Sequence, residues 1–455
     1  METRSQEIPR RTILSLPVFV PILIAVCMVF IFRGPFRAFT SQGLDDLLSP
    51  DIQSTAWLHG ADPYSPRSLL QFWPKSALAA RPDPREMDDG SVLVRHGIPT
   101  AYPLTSLVLL APFSVVPWPI FKVLWVTASV ALFFAAVWSL GLWAGLKTRE
   151  KQIFLLASLL LAPFHTGIAT CNVAVVAVEL GVIAVAWAYS KNEIAAGLLI
   201  AVSVGMKPQI GLVFLAYYLV QRGWKACSSA LMGIVGLVSV ALVRMMHVPW
   251  LASYATDNRV LLSTGVLGDF TERNPTRFGL VNLQVALYPW LHNRSMTNVC
   301  MAAICGLLAI AILVLILRAN VQDNLLSLSL LSTFSLLPVY HRFYDAALLI
   351  IPICWLLHRW GIRLTLNRVS PRHRLGYLVP VATLVTVAVF SIPGGSMLEV
   401  LRNRGAISSA LARSTWWDGI VMAHAVWSLL LLLGVLLYEM NRYQHRTPAR
   451  TESAP

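Results

Sequence analysis

The sequence is poor in charge, and acidic residues are the scarcest of its charged groups. Only 13% of the 455 residues are charged, and 22 acids stand against 36 lysines and arginines. Soluble proteins carry about 25% charged residues. With 56% hydrophobic residues and a mean hydropathy of +0.64, the chain cannot bury its apolar surface in one aqueous core. This composition excludes an ordinary soluble enzyme and indicates a protein that crosses a lipid bilayer many times.

The chain also lacks the short motifs of common soluble chemistry. It has no GxGxxG, no Walker loop and no HExxH, so no motif predicts nucleotide or zinc chemistry. Its six cysteines stand in or beside apolar runs and form no CxxC pair, which excludes a disulfide framework and a cysteine metal site. We therefore expect no cofactor, no metal, and a donor substrate dissolved in the membrane. The cysteines are Cys27, Cys171, Cys227, Cys300, Cys305 and Cys354.

Apolar segments recur along the whole chain and predict an all-α polytopic membrane protein. A membrane-spanning helix needs roughly 20 apolar residues, and packed bundles tolerate shorter ones. No linker or repeat divides the chain, so we expect one membrane domain over 1–455 with about twelve spans. The weakest are 102–117, which is short, and 152–190, which a break or dip at 165–172 interrupts. The predicted spans are 12–32, 102–117, 118–145, 152–168, 172–190, 193–220, 226–248, 296–318, 324–340, 343–360, 376–393 and 416–440.

Basic clusters between the spans predict which loops face the cytoplasm. Residues 358–374 hold five arginines, two histidines and no acid, and such excess marks the cytoplasmic side. Counting from a cytoplasmic N-terminus places 221–225 and the tail 441–455 on the same side. The loops 33–101 and 249–295 then face outward, together with the turn at 341–342 and residues 394–415. We expect a multi-pass membrane protein with both termini in the cytoplasm.

One basic group fits this count badly. Lys147, Arg149 and Lys151 fall on the outer side. They would move inside if 102–117 were only a half-helix at the outer surface, but the later loops would then invert, so we keep twelve spans. The net charge of +14 is explained by attraction to anionic lipid headgroups, and we expect membrane lipids and no nucleic acid among the partners.

The first outer loop, 33–101, concentrates the acids. We expect a helix over 44–59 that ends at Gly60, a turn at Asp62-Pro63-Tyr64, and a short helix over 66–80. The second loop is expected to be helix-like from 279 to 291. The first loop holds eight of the 22 acids: Asp45, Asp46, Asp51, Asp62, Asp83, Glu86, Asp88 and Asp89.

Several short motifs, in order, carry a family resemblance. Asp46 stands sixteen positions before Asp62, within the string Gly60-Ala-Asp62-Pro63-Tyr64. With these motifs the chain resembles glycosyltransferase family 87 of the GT-C superfamily. It departs from the family where Pro50 and Asp51 replace aromatic residues, and where Asn172 stands at a usual Gly-Gln. The other matching segments are Tyr102-Pro103-Leu104, Ala111-Pro112-Phe113, Gly205-Met206-Lys207-Pro208, Arg222-Gly223-Trp224-Lys225, Asn274-Pro275 and Asn282-Leu283-Gln284.

The resemblance implies that Asp46 is the catalytic base. Sugar transfer from a lipid phosphate to a hydroxyl needs a proton acceptor and cations for the leaving phosphate. Asp45 and Asp51 remain alternatives for the base. A solvated loop acid or a helix N-cap is the non-catalytic interpretation of Asp46.

The resemblance also implies a substrate-binding turn. His341 and Arg342 are expected to hold the donor phosphate, with Asp345 orienting either one. The alternative is an interfacial turn anchored at headgroup level. Four more residues are expected to bind substrate, of which Lys207 is a rare charge inside an apolar segment, or else a snorkelling side chain near a Pro208 kink. These four are Lys207, Arg277, Asn282 and Gln284, and Glu179 and Arg244 are weaker intramembrane candidates.

The expected function follows from the resemblance. It implies a GT-C hexosyltransferase on the outer face that moves mannose from a polyprenyl-phosphate donor to a lipid or glycan acceptor with inversion. One alternative is a transporter or flippase of lipid-linked sugars. Another is a surface-polysaccharide ligase or polymerase that uses a diphosphate-linked donor.

Overall fold

The computed structural model describes residues 16–40, 46–80, 102–189, 192–318, 323–365, 378–408, 411 and 414–444. Within these ranges the chain is helical apart from turns, loops and one antiparallel bridge between Leu280 and Arg342. Several residues to which the sequence pattern assigns a role or a side of the membrane lie outside the described ranges: Asp45, Asp83, Glu86, Asp88, Asp89, residues 366–374 and the tail from 445.

The described α-helices are numbered in chain order. They are α1 (Leu16–Arg33), α2 (Pro35–Thr40), α3 (Leu48–Leu58), α4 (Pro66–Gln71), α5 (Leu104–Leu110), α6 (Trp118–Trp143), α7 (Thr148–Leu160), α8 (Ala162–Ala169), α9 (Val173–Tyr189), α10 (Glu193–Met206), α11 (Pro208–Val220), α12 (Trp224–Met245), α13 (Trp250–Leu261), α14 (Leu283–Leu291), α15 (Arg294–Arg318), α16 (Asn324–Ser335), α17 (Ile350–Thr365), α18 (Leu378–Phe390), α19 (Gly394–Asn403) and α20 (His424–Gln444). Tighter 3₁₀ turns cover Lys75–Ala80, Arg277–Gly279 and Phe343–Leu349, and a π-helical segment covers Trp417–Met422.

Five helices in the described ranges are long and apolar enough to cross a bilayer alone, and a sixth span forms if α7 and α8, bent by 46° at their junction, are taken together. The shorter apolar helices pack among them. Small residues permit the close approach: Gly181 lies against the Phe214 ring and Gly197 against the backbone of Ala226. The chain is therefore a helical membrane protein. The five spans are Pro17–Thr40, Trp118–Trp143, Trp224–Met245, Arg294–Arg318 and His424–Arg442.

The segment 193–220 is a helical hairpin, so the prediction of one continuous span there is wrong. α10 ends at Met206, Lys207 is extended, and α11 begins at Pro208. The two helices fold back on each other so closely that a Cβ on Gly211 would lie 2.2 Å from the Val204 nitrogen. Proline has no N–H to continue the preceding helix, and a lysine is costly in the middle of a membrane span. Both features place the reversal at this joint.

The bundle has two distinguishable ends, named here by one residue each. At the Arg222 end, Trp143, Ala188, Glu193 and Asn324 line a common cavity with Arg222. At the Asp46 end, the turns after α8, after α10 and after α16 come together. A single crossing over 193–220 would have put its two termini at opposite ends, whereas both lie at the Arg222 end.

The segment 102–117 contains only the seven-residue helix α5. This helix stays at the Asp46 end, where the Thr105 and Ser106 hydroxyls each donate to the Gly205 carbonyl at 2.9 Å. α6 then starts at the same end and runs to Trp143. Polar hydroxyls and the short apolar run explain why α5 does not continue across the bundle.

Residues 46–80, in the loop 33–101, fold over the Asp46 end. The helix predicted over 44–59 forms as α3, starting four residues later at Leu48 and ending before Gly60, whose φ of +70° favours glycine. The short helix predicted over 66–80 is instead α4 and a 3₁₀ turn, separated at 72–74. Pro74 cannot donate to a continuing helix.

The Asp-Pro-Tyr turn anchors this loop to the rest of the protein. Asp62 accepts hydrogen bonds from its neighbour Tyr64 N at 3.0 Å and from the Ser253 hydroxyl at 2.6 Å. The Tyr64 hydroxyl donates to the Tyr102 carbonyl at 2.6 Å, and its ring packs on Tyr254. Asp62 is therefore a structural acid that ties the two outer loops together.

Candidate active site

Asp46 lies just before α3, and the turn between α8 and α9 fixes its position. The Asp46 backbone N–H donates to the Thr170 carbonyl at 2.8 Å, and Asn172 Nδ2 donates to Asp46 Oδ2 at 2.8 Å. Asn172 Oδ1 accepts from the Ala174 N–H at 2.9 Å in the first turn of α9. Because that oxygen must face an N–H, the amide nitrogen must face the carboxylate. The Asp46 carboxyl thus has one defined orientation.

The surroundings of Asp46 tune its protonation. Burial is the largest influence and raises the pKa of the carboxyl above its ordinary value. The Asn172 hydrogen bond and the charges of Arg342 and Lys207 oppose this shift without cancelling it. A general base works best when its pKa lies near the working pH. The shift therefore makes Asp46 a better proton acceptor than an exposed aspartate.

Lys207 occupies the sharp joint between α10 and α11 and is only 8% exposed. Its Nζ donates to Asp345 Oδ1 at 2.5 Å and lies 4.9 Å from the centre of the Tyr344 ring. The carboxylate offsets the cost of burying the ammonium group, and the ring face adds a favourable cation–π contact. The break between α10 and α11 thus places Lys207, paired with Asp345, at the Asp46 end.

Asp345 organises the turn that follows α16. It is fully buried, and its Oδ2 accepts from His341 Nδ1 at 3.0 Å and from the Arg342 backbone N–H at 3.1 Å. A carboxylate can only accept here, so Nδ1 of His341 carries a proton. Nε2 of His341 is buried and has no hydrogen-bond partner among the residues that the structure describes. Asp345 therefore holds His341, Lys207 and the turn backbone in one arrangement.

The same turn is fastened to the second outer loop through the backbone. Val281 N donates to the His341 carbonyl at 3.1 Å, and Leu283 N donates to the Leu337 carbonyl at 3.0 Å. These bonds flank Asn282, and the first of them belongs to the antiparallel bridge between Leu280 and Arg342. The backbone carrying Arg342 is consequently fixed on both sides.

Arg342 is the cation that reaches Asp46 from this turn. Its side chain is half-buried and interacts electrostatically with Asp46, Tyr340 and Tyr344. Tyr102, at the start of the segment leading to α5, interacts with Asp46 and with Asn172. Two carboxylates (Asp46 and the Lys207-paired Asp345), two cations and three phenols thus meet at one place. Such a set can accept a proton and stabilise a phosphate anion.

Of the two rival acids, Asp51 lies apart from this cluster. Asp51 is buried five residues along α3, where its side chain interacts with Ser114 and burial raises its pKa to about 7. One oxygen of Asp51 has no partner among the described residues. Asp45 lies outside the described ranges.

The remaining predicted substrate residues lie in the segment 277–284. Arg277 is buried and pairs with Asp418 through its Nη2 at 2.5 Å. Asn282 Nδ2 donates to Gln284 Oε1 at 2.7 Å, and Gln284 Nε2 donates to Asn298 Oδ1 at 2.6 Å. The backbone beside Asn282 is hydrogen-bonded to His341, next to Arg342. Arg277 instead forms an ion pair with Asp418, in the segment before α20.

The sequence pattern predicts no chemical role for four residues of the cluster. Asn172 marks only a departure from the family motif and a break between helices, yet it orients Asp46. Tyr102, Tyr340 and Tyr344 converge around the cations, and spacing along the chain gives no signature of that convergence. The described residues include no group of three or more His, Cys, Asp or Glu side chains arranged to hold a metal ion.

Comparison with known proteins identifies the family. The sequence profile of glycosyltransferase family 87 matches residues 100–339, more than half of the chain, and no curated protein or solved structure matches. The matched region contains Tyr102, Asn172 and Lys207, while Asp46 and Arg342 flank it. The chain is a membrane glycosyltransferase and belongs to glycosyltransferase family 87.

Proposed function

We propose that the protein transfers mannose from a polyprenyl-phosphate donor to a hydroxyl of a lipid or glycan acceptor, with inversion. The observation that carries this proposal is the convergence of Asp46, Lys207 and Arg342 from three distant segments. One proton acceptor beside two cations is the minimum that sugar transfer from a lipid phosphate requires. Family membership favours a transferase over a transporter or flippase.

In the proposed reaction Asp46 removes the proton of the acceptor hydroxyl. The acceptor oxygen attacks the anomeric carbon on the face opposite the phosphate, and the bond between that carbon and the phosphate oxygen breaks. The electron pair of this bond leaves with the polyprenyl phosphate, which gains negative charge. A β-linked donor gives an α-linked product because the displacement is single and inverting.

Arg342, His341 and Lys207 are the proposed ligands of the leaving phosphate. A cation stabilises the transition state more than the bound donor because charge develops on the phosphate as the bond breaks. Arg342 is the main candidate, since its planar guanidinium offers two parallel donors to phosphate oxygens and its side chain is half-buried. His341 would donate through its unpartnered Nε2 in the doubly protonated imidazolium form. Lys207 would act while still paired with Asp345. These cations serve a monophosphate donor, and the proposed reaction uses no cofactor.

The second outer loop is proposed to complete the substrate site. Asn282 has a buried Oδ1 without a hydrogen-bond partner in the described part of the chain. Its neighbours Val281 and Leu283 donate backbone hydrogen bonds to the segment 337–341, which leads into Arg342. Gln284 extends the same amide chain. Arg277 is proposed to contact donor or acceptor at the edge of this site.

We further propose a GT-C fold with twelve crossing segments and the Asp46 end on the outer face of a bacterial plasma membrane. The crossings differ from the sequence count at two places: 102–117 does not cross, and 193–220 crosses twice. These changes compensate each other, so the later loops keep their sides. Lys147, Arg149 and Lys151 then join Arg222 and Lys225 on the cytoplasmic side, as basic excess favours.

The test is to identify the product. Purified full-length protein is incubated with radiolabelled polyprenyl-phosphate mannose and a membrane lipid extract. We expect a labelled acceptor with a new glycosidic bond together with free polyprenyl phosphate. Recovery of intact donor moved between leaflets would favour the flippase, and activity only with a diphosphate-linked donor would favour the ligase or polymerase.

A further inference from the structure

A cavity lined by both polar and apolar side chains lies at the Arg222 end of the bundle. It has a volume of about 560 Å³ and is bounded by the ends of α6, α9 and α11 and by the starts of α10, α12 and α16. Small-molecule sites in proteins typically enclose about 300–1,000 Å³. The cavity is therefore large enough to hold a headgroup-sized ligand.

This cavity is separate from the Asp46 cluster. α11 begins next to Lys207 and ends next to Gln221, and its 13 residues span about 20 Å at the usual helical rise. No residue of the Asp46 cluster lines the cavity. Whatever binds there does so at the opposite end of the bundle.

The lining is rich in donors and carries two cations. Arg222 and Lys225 supply the positive charge, and Gln221 and Asn324 supply side-chain amides. Neither cation forms an ion pair with another described residue. Glu193 also lines the cavity and interacts electrostatically with Tyr218. Arginine and lysine together favour phosphate, while the carboxylate can accept hydrogen bonds from hydroxyl or amine groups.

The turn that carries Arg222 is tightly constrained. Arg222 has a φ of +57°, a conformation that only a few per cent of non-glycine residues adopt. The next residue, Gly223, donates to the Tyr218 carbonyl at 2.9 Å, and a Cβ on Gly223 would lie 2.7 Å from the Tyr218 ring. The closed turn thus fixes the arginine at the cavity, in a conformation that an asparagine would adopt with less strain.

The exposed protein surface beside the cavity is apolar. Ile194 and Trp224 are 63% and 62% exposed, and Leu219 is 46% exposed. These residues belong to the same helix ends that carry the polar lining. A ligand with a phosphate and attached acyl chains would satisfy both surfaces, whereas free phosphate would use only the cations.

We propose that this cavity binds the phosphate group of a glycerophospholipid headgroup from the leaflet at the Arg222 end. Arg222 and Lys225 contact the phosphate, Glu193 accepts a hydrogen bond from the headgroup hydroxyls, and the acyl chains lie along the apolar helix ends. Basic pockets between membrane helices are a recurring form of headgroup recognition. The proposal does not depend on the sugar transfer proposed above.

The test measures binding by the full-length protein purified in a neutral detergent and stripped of lipid. Dioctanoyl phosphatidylglycerol, glycerol 3-phosphate and inorganic phosphate are titrated separately, and the thermal unfolding temperature is followed. We expect saturable stabilisation by the lipid and a weaker effect of the two chain-free phosphates. The combined change Arg222→Asn and Lys225→Gln should weaken lipid binding about tenfold or more, because both phosphate contacts are lost.

The control variant removes two exposed basic residues at the same end, Arg149→Gln with Arg318→Gln, and should bind within about twofold of the wild type because neither side chain lines the cavity. Arg222→Lys should retain most of the affinity. Equal loss in the control would show general charge attraction and overturn the site. Equal stabilisation by inorganic phosphate and lipid would overturn the lipid assignment, and unchanged lipid binding in the Arg222→Asn, Lys225→Gln variant would overturn the cavity.

Discussion

Asp46 and Asp51 stand five residues apart in the acid-rich loop, and their contacts separate them. Asp46 has an oriented hydrogen bond and two cations within electrostatic reach. Asp51 is buried beside Ser114 and has an oxygen without a partner in the described ranges. The difference favours Asp46 as the base and makes Asp51 a matched control.

The first prediction compares these two acids. Asp46→Asn keeps the shape of the side chain and removes the proton acceptor, so turnover should fall by about 100-fold or more while donor affinity changes little. Asp51→Asn should retain activity close to the wild type. The measurement is kcat and donor KM with radiolabelled donor. An active Asp46→Asn enzyme beside an inactive Asp51→Asn enzyme would transfer the base role to Asp51.

The second prediction concerns pH. A base must be deprotonated, so activity falls as the pH drops through the pKa of Asp46, which burial has raised. Asn172→Ser removes the hydrogen bond that lowers this pKa but keeps a hydroxyl that can accept from the Ala174 N–H. The acid limb of the kcat/KM profile should therefore move to higher pH. A profile that keeps its acid limb, with only a uniform loss of activity, would contradict the role of Asn172.

At the scale of elements, the joint between α10 and α11 combines a reversal of the chain with a buried ion pair. The pair Lys207–Asp345 is nearly inaccessible, with side chains 10% and 0% exposed. The pair Arg402–Asp418 is more accessible at 29% and 17%. Solvent screening makes accessible pairs weak, whereas removing one partner of a buried pair leaves an uncompensated charge.

The third prediction uses both pairs. Lys207→Met should lower the free energy of unfolding by about 3 kcal/mol, because Asp345 would remain buried with His341 and backbone donors only. Arg402→Met should cost less than about 1 kcal/mol, since the pair is partly solvated and Asp418 keeps Arg277. Denaturant unfolding in detergent micelles measures both. Similar losses in the two variants would argue against a special contribution of the buried pair.

The fourth prediction tests the hairpin itself. Gly211→Ala would place a methyl group 2.2 Å from the Val204 nitrogen, and backbone atoms cannot yield without separating α10 from α11. We expect a clear drop in thermal stability. The control is Gly236→Ala in α12, where a Cβ meets nothing within 4 Å and alanine favours the helix by up to about 1 kcal/mol. If both variants kept wild-type stability, the close approach of the two helices would be wrong.

At the scale of the whole molecule, two local features determine the direction of all later helices. α5 is too short to cross and stays at the Asp46 end, and in the proposed topology the reversal at Lys207 adds a crossing that the sequence count lacks. The crossing lost at 102–117 and the crossing added at 193–220 cancel each other. The sequence-based topology and the proposed topology therefore place the loops from 221 onward on the same sides of the membrane. They disagree at 143–151, where the basic residues favour the cytoplasm, and at the two short connections 169–172 and 190–192.

The fifth prediction examines that disagreement. In a cysteine-free background, Ser76→Cys should react with an impermeant thiol reagent in intact cells. Thr148→Cys should react only after permeabilisation, as should Arg318→Cys, which both counts place in the cytoplasm. Labelling of Thr148→Cys in intact cells would mean that 102–117 crosses the membrane after all.

The sequence by itself determined the class of protein and the positions of most helices, because apolar segment length and low charge leave a chain few alternatives to a membrane bundle. It also determined where α3 ends, since Gly60 and the Asp62-Pro63 turn act within a few residues of themselves. The family resemblance, read from short ordered motifs, was confirmed by the match over residues 100–339.

Only the tertiary structure decided how those helices run and which side chains meet. The length and hydropathy of 193–220 are the same for one long span as for a hairpin, and the choice depends on packing between Gly211 and Val204. The hydrogen bond of Asp46 with Asn172 and its electrostatic interactions with Lys207 and Arg342 join residues more than 100 positions apart. No local pattern encodes such contacts, because they arise from the way separate turns converge at one end of the folded bundle.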